Sequence, residues 1–196
     1  MLRHLLYQNP DISRSTAGLV LLDTKTASAS ATIELVGMNA NYDLCLCVGT
    51  GLLPATDGVQ MILRTGAAGS YSSGTNDYSY GLKATEGSGA VWSADALISD
   101  TTHTDIIMSD STGGQRCGFN AGERGDWTVW IYNPSNTDAN KYVSFIGHYG
   151  NTAGVPVFVN NGLGVRLATA AIDGIQLLYS SGNIASGTAS LYGVAK

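Results

Sequence analysis

Apolar and polar residues alternate with a period of two along most of this chain. In the stretch GVQMILRT, which starts at Gly58, the side chains of Val59, Met61 and Leu63 fall on one face of an extended strand. Similar alternation recurs in about ten stretches, whereas the 3.6-residue period of an amphipathic helix does not recur. The pattern predicts short strands as the dominant element.

Segments rich in Gly, Asn, Ser and Pro separate these stretches, roughly every 8–15 residues. Their spacing and the long connections predict an all-β fold: a two-sheet antiparallel β-sandwich of the jelly-roll type, with about ten strands and little helix. An up-and-down barrel would show tighter and more even hairpins. The one stretch that fits a helix is Trp92–Thr101, with Ser93 as its N-cap.

The first 16 residues differ from the rest of the chain. Four apolar residues precede the breaker Asn9-Pro10, namely Leu2, Leu5, Leu6 and Tyr7. Residues 1–16 are therefore expected to form either a first strand tucked under the domain or an N-terminal arm that packs on a neighbouring subunit. Residues 17–196 are expected to form a single β-sandwich domain, because 196 residues suit one core.

Charge and hydropathy narrow the classes of partner. Only 13% of residues are charged, about half the usual share, and the net charge is −5. The ten Lys and Arg residues are scattered, which argues against nucleic-acid binding. No apolar run approaches the roughly 18 residues of a membrane span. The start MLRHLLYQNP is too short for a signal-peptide core, so synthesis in the cytoplasm is expected.

The three cysteines predict neither a disulfide framework nor a metal site. Cys45 and Cys47 share a strand face at a separation of roughly 6.5–7 Å, at or beyond the limit for a disulfide. Cys117 leaves the count odd, and no second Cys pair or His-x-His motif supplies further metal ligands. Reduced, apolar thiols are expected, with no cofactor and no metal.

A search for catalytic groups finds no motif. His148 is expected to be a structural histidine, and His103 with Asp105 a surface pair. The Gly-rich segments TGGQRCG and GTGLLPATDG lack the Gly-Lys-Ser/Thr ending of a P-loop. A hydrolase would need two carboxylates facing each other across a cleft, which a sequence cannot exclude. The residues nevertheless predict a protein that is not an enzyme.

Aromatic side chains are the better candidates for contact with a partner. In DWTVWIYNP, alternation places Trp127 on the core face, and Trp130 and Tyr132 on the opposite face. Exposed Trp and Tyr anchor protein interfaces or stack on sugars. Trp130 and Tyr132 are therefore interface candidates.

The two ends of the chain resemble a known family. KTASASATIELVG and NYDLCLCVGTGLLPATDGVQMILRTG, within residues 25–66, and IDGIQLLYSSGNIASGTASLYGVAK, residues 172–196, are similar to small structural proteins from tailed-phage genomes. The resemblance implies an all-β virion protein without enzymatic activity, made in the host cytoplasm. It carries no catalytic or cofactor-binding residues.

The resembling motifs do not settle the location in the virion. A complete tail fibre usually has a coiled-coil or repeat shaft, which this sequence lacks, and this favours a capsid decoration or cement subunit on the virion surface over a tail component. The expected partners are the major capsid protein or other virion proteins, and the subunit is expected to be a homo-oligomer, with a trimer favoured by analogy. The alternative is a tail-associated receptor- or glycan-binding module. The closing stretch SSGNIASGTASLYGVAK reads as the end of a hairpin, with Leu191 and Tyr192 as interface candidates.

Overall fold

The computed structural model describes residues 18–88, 91–109, 116–152 and 157–195, with the backbone alone at 86–88, 91–100 and 157–158. The predicted arm, residues 1–16, lies outside the described residues, and so do Leu2, Leu5, Leu6 and Tyr7. Thirteen strands make up the regular structure of the described chain. They are β1 Leu19–Ser30, β2 Ile33–Val36, β3 Tyr42–Pro54, β4 Met61–Ala67, β5 Ser70–Tyr71, β6 Tyr78–Ser88, β7 Val91–His103, β8 Ile106–Ile107, β9 Gly125–Tyr132, β10 Lys141–Tyr149, β11 Val157–Arg166, β12 Gly174–Tyr179 and β13 Ile184–Ala195.

The strands form two antiparallel sheets. The larger sheet has the order β1-β13-β3-β9-β10-β11-β6-β7, and the smaller has the order β2-β12-β4-β5 with β8 also paired to β4. The all-β sandwich prediction is confirmed. A jelly roll is built from eight strands in two Greek keys, and this division into eight and five strands does not confirm the jelly-roll part of the prediction.

The helix candidate Trp92–Thr101 is wrong. This stretch lies within β7, which pairs antiparallel with β6 along nearly its whole length. A short segment with one N-cap residue has little helical stability of its own in water, so pairing with a neighbouring strand decides its conformation. The strand count exceeds about ten partly because β5 and β8 have only two residues each, too few to show alternation.

Alternate residues of each strand enter one core between the sheets. Trp127 is 2% exposed, as predicted, and its ring stacks on Tyr149 with the ring centroids 5.8 Å apart. Cys45 and Cys47 occupy inner positions of β3, and Cys117 is also buried. All three are free thiols, which confirms the prediction from their spacing.

The last two strands do not form a hairpin with each other. β12 lies in the smaller sheet between β2 and β4, whereas β13 lies in the larger sheet between β1 and β3. The connection at 180–183 crosses between the sheets and turns through Gly182, whose φ of 72° is in the left-handed region that favours glycine. The tail is therefore an interior strand of the larger sheet, and its backbone is bonded on both sides.

Candidate functional site

The outer face of the larger sheet, which points away from the smaller sheet, carries two adjacent rows of residues without a charge. Strand register aligns the rows across six strands, from β1 to β11. The first row is Leu19, Val194, Leu44, Tyr132, Tyr142 and Val165, and the second is Leu21, Tyr192, Leu46, Trp130, Ser144 and Leu163. These twelve residues are called the apolar face below.

Several side chains of the apolar face project into solvent. Leu163 is 67% exposed, and Tyr142 and Leu21 are each 56% exposed. The one side-chain hydrogen bond within the face that the structure describes joins the Tyr132 hydroxyl to Ser144 Oγ at 2.9 Å. Contiguous apolar surface of this kind on the outside of a fold marks a contact site.

Uncharged hydroxyl groups continue the outer face along β1 and β13. Thr24 Oγ1 and Ser190 Oγ are 2.9 Å apart, and Thr26 Oγ1 and Thr188 Oγ1 are 3.0 Å apart. The two hydroxyl groups of each cross-strand pair hydrogen bond to each other. Removing water from them when a partner covers the surface therefore costs little free energy. The charge-free surface is thus wider than the apolar face alone.

A groove opens where β3, β9 and β10 continue past the apolar face. Its volume is about 460 Å³, and its lining includes Val48, Thr128 and Ile146 together with Asp126 and His148. Asp126 Oδ1 accepts a hydrogen bond from the Gly51 N–H at 2.6 Å, while Asp126 Oδ2 lies 3.0 Å from His148 Nε2. The carboxylate and the imidazole are thus paired at the surface of the groove.

His148 differs from its prediction. Its side chain is 57% exposed, so it is a surface residue of the groove and not a buried structural histidine. The reason is that His148 and Ile146 occupy the outward positions of β10, while Gly147 and Tyr149 point inward. Within the described residues, no hydroxyl or thiol hydrogen bonds to this imidazole, so the pair lacks the nucleophile of a catalytic triad.

The outer face of the smaller sheet has the opposite character. Glu34, Gln176 and Arg64 lie in one cross-strand row, and Gln176 Nε2 donates to Glu34 Oε1 at 2.9 Å. Arg64 Nε donates to Asp105, which also accepts from Thr104 Oγ1 at 2.6 Å. This face already pairs its polar groups within the chain.

His103 and Asp105 are not a surface pair. Asp105 is 6% exposed and bonds chiefly to Arg64, while His103 Nδ1 accepts the Asp105 N–H at 3.3 Å. The His103 ring also packs edge-on against Tyr80. Because β8 pairs with β4, the turn that carries Asp105 lies against the smaller sheet. The spacing of His103 and Asp105 in the sequence does not indicate this contact.

The structure brings three of the predicted interface residues together. Trp130, Tyr132 and Tyr192 all lie on the apolar face. Leu191 is 0% exposed and points into the core beside the buried Ala189, so it is not available at the surface. Leu191 and Tyr192 are adjacent on β13 and so lie on opposite faces, and only Tyr192 faces outward.

Sequence reasoning missed most of the apolar face, including Leu44, Leu46, Tyr142 and Leu163. A usable signal was present in YDLCLCVG, where both the inward and the outward positions are apolar. A strand that is apolar on both sides is expected to be covered on both sides. The sequence does not show the whole face, because its two rows come from six strands that are not consecutive in the chain.

Other chemistry in the described residues is sparse. Burial raises the pKa of Cys45 to about 11 and those of Cys47 and Cys117 to about 12, which keeps these thiols protonated and unreactive at neutral pH. Across the described ranges, no three His, Cys, Asp or Glu side chains are grouped so as to hold a metal ion. The same residues contain no helix long and apolar enough to cross a membrane.

The site is therefore a broad apolar sheet face with a small polar groove beside it. Comparison with models of protein families and with curated proteins finds no match to this chain.

Proposed function

We propose that this chain is a structural protein of a phage virion, a capsid decoration or cement subunit that is held on the assembled shell and stabilises it. The observation that carries the proposal is the apolar face. Its exposed apolar side chains lower the free energy of the system when a partner covers them. It carries no group that could react with a substrate. The function is therefore one of contact.

The exposed side chains of the apolar face are the source of the binding free energy. Fully burying a side chain such as Leu163 or Tyr142 yields about 1.5–3 kcal/mol. Association costs several kcal/mol in lost translational and rotational freedom, so many such side chains must be buried together. A ligand that binds only the assembled shell shifts the equilibrium toward that shell by mass action. Several contacts in one oligomer add avidity.

The two segments that resemble phage structural proteins adjoin in the fold. Residues 25–66 contain half of β1, all of β2 and β3, and β4 except Ala67, and residues 172–196 contain β12 and β13. These strands form the contiguous groups β1-β13-β3 and β2-β12-β4, one in each sheet. The resemblance thus covers one continuous half of the sandwich, which supports its use as a guide to function.

The test uses phage shells that lack this protein. Leu163→Lys should weaken co-sedimentation with the shells at least tenfold, because the ammonium group would be buried without a partner in the assembled particle. Val36→Lys is the matched control, since Val36 is also an exposed strand residue, 43% exposed, but lies on the smaller sheet. Equal shell binding by both variants and the unsubstituted protein would refute the proposal.

The N-terminal arm is a second contact in this proposal. Deletion of residues 1–10 should weaken attachment to shells while the circular dichroism spectrum keeps its β signature. If the truncated protein binds shells with unchanged affinity, the arm is not a contact, and the apolar face alone remains as the proposed contact.

The groove favours a second candidate, a tail-associated glycan-binding module. Asp126 and His148 supply fixed polar groups beside the apolar walls of Val48 and Ile146, a combination found in small-molecule sites. In this case a glycan array should show binding that Asp126→Asn abolishes. Location of the protein on the capsid shell would end this candidate.

A further inference from the structure

We infer that the apolar face is a self-association interface, and that another copy of this chain covers it. The proposal concerns the purified protein and does not depend on the presence of a virion. Under the proposed function, it is then the oligomer that attaches to the shell, and the apolar face contributes to attachment by holding the oligomer together.

The distribution of charge favours a second copy. The chain carries a net charge of −5, so most pairings of two copies bring like charges together. The apolar face has no charged residue, and the hydroxyl pairs beside it are neutral as well. Two identical faces of this kind meet without repulsion, whereas a partner recognised through opposite charge would require charged residues on the face.

The size of the surface fits a stable interface. Six strands spaced by about 4.8 Å, each with four outward positions about 6.8 Å apart, cover roughly 800 Å². That area includes the two rows of the apolar face and the two rows beyond them, which carry the hydroxyl pairs on β1 and β13 and, on β9 and β10, the pair Asp126 and His148. A standard interface buries about 800 Å² on each partner, so this sheet face alone is large enough.

The chemistry also fits a permanent contact between copies. Interfaces of homodimers are more apolar than transient ones, and their cores are enriched in Tyr and Trp and depleted of charge. Trp130, Tyr132, Tyr142 and Tyr192 lie within two adjacent rows of the apolar face. The smaller sheet presents an internally paired row at Glu34 and Gln176 instead, so the larger sheet is the face left to be covered.

The experiment measures the mass of the purified full chain by sedimentation velocity and light scattering over a dilution series. The expected mass is a whole-number multiple, two or greater, of the 20.4 kDa of one chain. Leu163→Lys and Tyr142→Lys should each raise the dissociation constant at least tenfold and yield the single chain on dilution. Val36→Lys should leave the mass unchanged. Circular dichroism of every variant reports whether the fold is kept, and two face variants are used so that one misfolded protein does not decide the result.

Two results would overturn the inference: a mass of 20.4 kDa at every concentration, or an oligomer that neither folded face variant weakens. The outcomes for shell binding are separate. An oligomer that does not bind shells would support this inference and refute the proposed function. A single chain that binds shells through the apolar face would refute this inference and support the proposed function.

Discussion

At the scale of single residues, Trp127 depends on the glycine opposite it. Gly147 lies directly across from Trp127 in the β9–β10 register, and a Cβ at this position would overlap the indole ring. The missing side chain lets the largest aromatic residue of the core lie flat beneath the sheet. The glycine is thus part of the packing and not a turn.

Gly147→Ala should lower the free energy of unfolding by about 1–3 kcal/mol, the usual cost of overpacking a core. Urea denaturation measures it. Gly122→Ala is the control, because nothing lies within 4 Å of a Cβ at Gly122, and its effect should stay within about 0.5 kcal/mol. Equal effects of the two substitutions would contradict the packing described for Trp127.

The buried thiols give a prediction about reactivity. At pH 8 the native protein should not react with a thiol reagent, because Cys45, Cys47 and Cys117 are buried and protonated. After addition of denaturant, three thiols per chain should react. Rapid labelling of even one cysteine in the folded protein would show that its described burial is wrong.

The same thiols make stability depend on pH in the alkaline range. Burial raises the pKa of Cys117 from 9.0 to about 12, so above pH 9 the unfolded chain loses a proton that the folded chain keeps. Burial raises the pKa of Tyr179 as well. The unfolded state then binds fewer protons, and stability falls as pH increases. The urea midpoint should be steady below pH 8 and decline from about pH 9 to 12; a midpoint that rises over this interval would contradict the account.

At the scale of elements, the Tyr78 hydroxyl is one of the groups that join the two sheets, as is the Tyr179 hydroxyl, which donates to the Leu52 carbonyl oxygen at 3.2 Å. Tyr78 on β6 of the larger sheet accepts a hydrogen bond from the Thr65 N–H at 2.8 Å, and its hydroxyl lies 3.1 Å from the Thr65 carbonyl oxygen. Thr65 belongs to β4 of the smaller sheet and is fully buried. The bond therefore fixes the position of one sheet against the other.

Tyr78→Phe should lower the free energy of unfolding by about 1–3 kcal/mol, because the Thr65 N–H would be buried without a partner. Tyr132→Phe removes a hydroxyl of the same kind from an exposed pair and should cost less than about 0.5 kcal/mol. Thermal and urea denaturation of both variants give the comparison. A smaller loss for Tyr78→Phe than for Tyr132→Phe would exclude this role.

Alternation along the sequence predicts strands well but assigns them to sheets poorly. It places Trp127 inward and Trp130 outward, because the face of a residue follows from its parity within one strand. It cannot show that β12 and β13 belong to different sheets, since that depends on pairing with β4 and β3, more than a hundred residues away. Strand β7 shows the same limit, because its pairing with β6 replaces a local helical signal.

The candidate site was even less accessible from sequence. Trp130, Tyr132 and Tyr192 could be proposed from residue type, but the apolar face exists only through the register of six strands. Leu163 illustrates this, because it is the most exposed large hydrophobic residue described and sits among glycines and asparagines in the sequence. Only its alignment with Ser144 and Trp130 makes it part of a surface.

At the scale of the whole molecule, the two outer faces differ in what they leave unpaired. The smaller sheet pairs Glu34 with Gln176 and Arg64 with Asp105, whereas the larger sheet presents the apolar face. We therefore expect the larger sheet to be covered in the proposed assembly and the smaller sheet to face solvent.

The sharpest test is an electron cryomicroscopy map of the virion to which we propose this chain belongs, at a resolution that separates strands. We expect density for this sandwich on the capsid shell, with Trp130, Tyr142 and Leu163 packed against another protein chain. A map in which these residues face solvent while the smaller sheet makes the contacts would contradict this expectation.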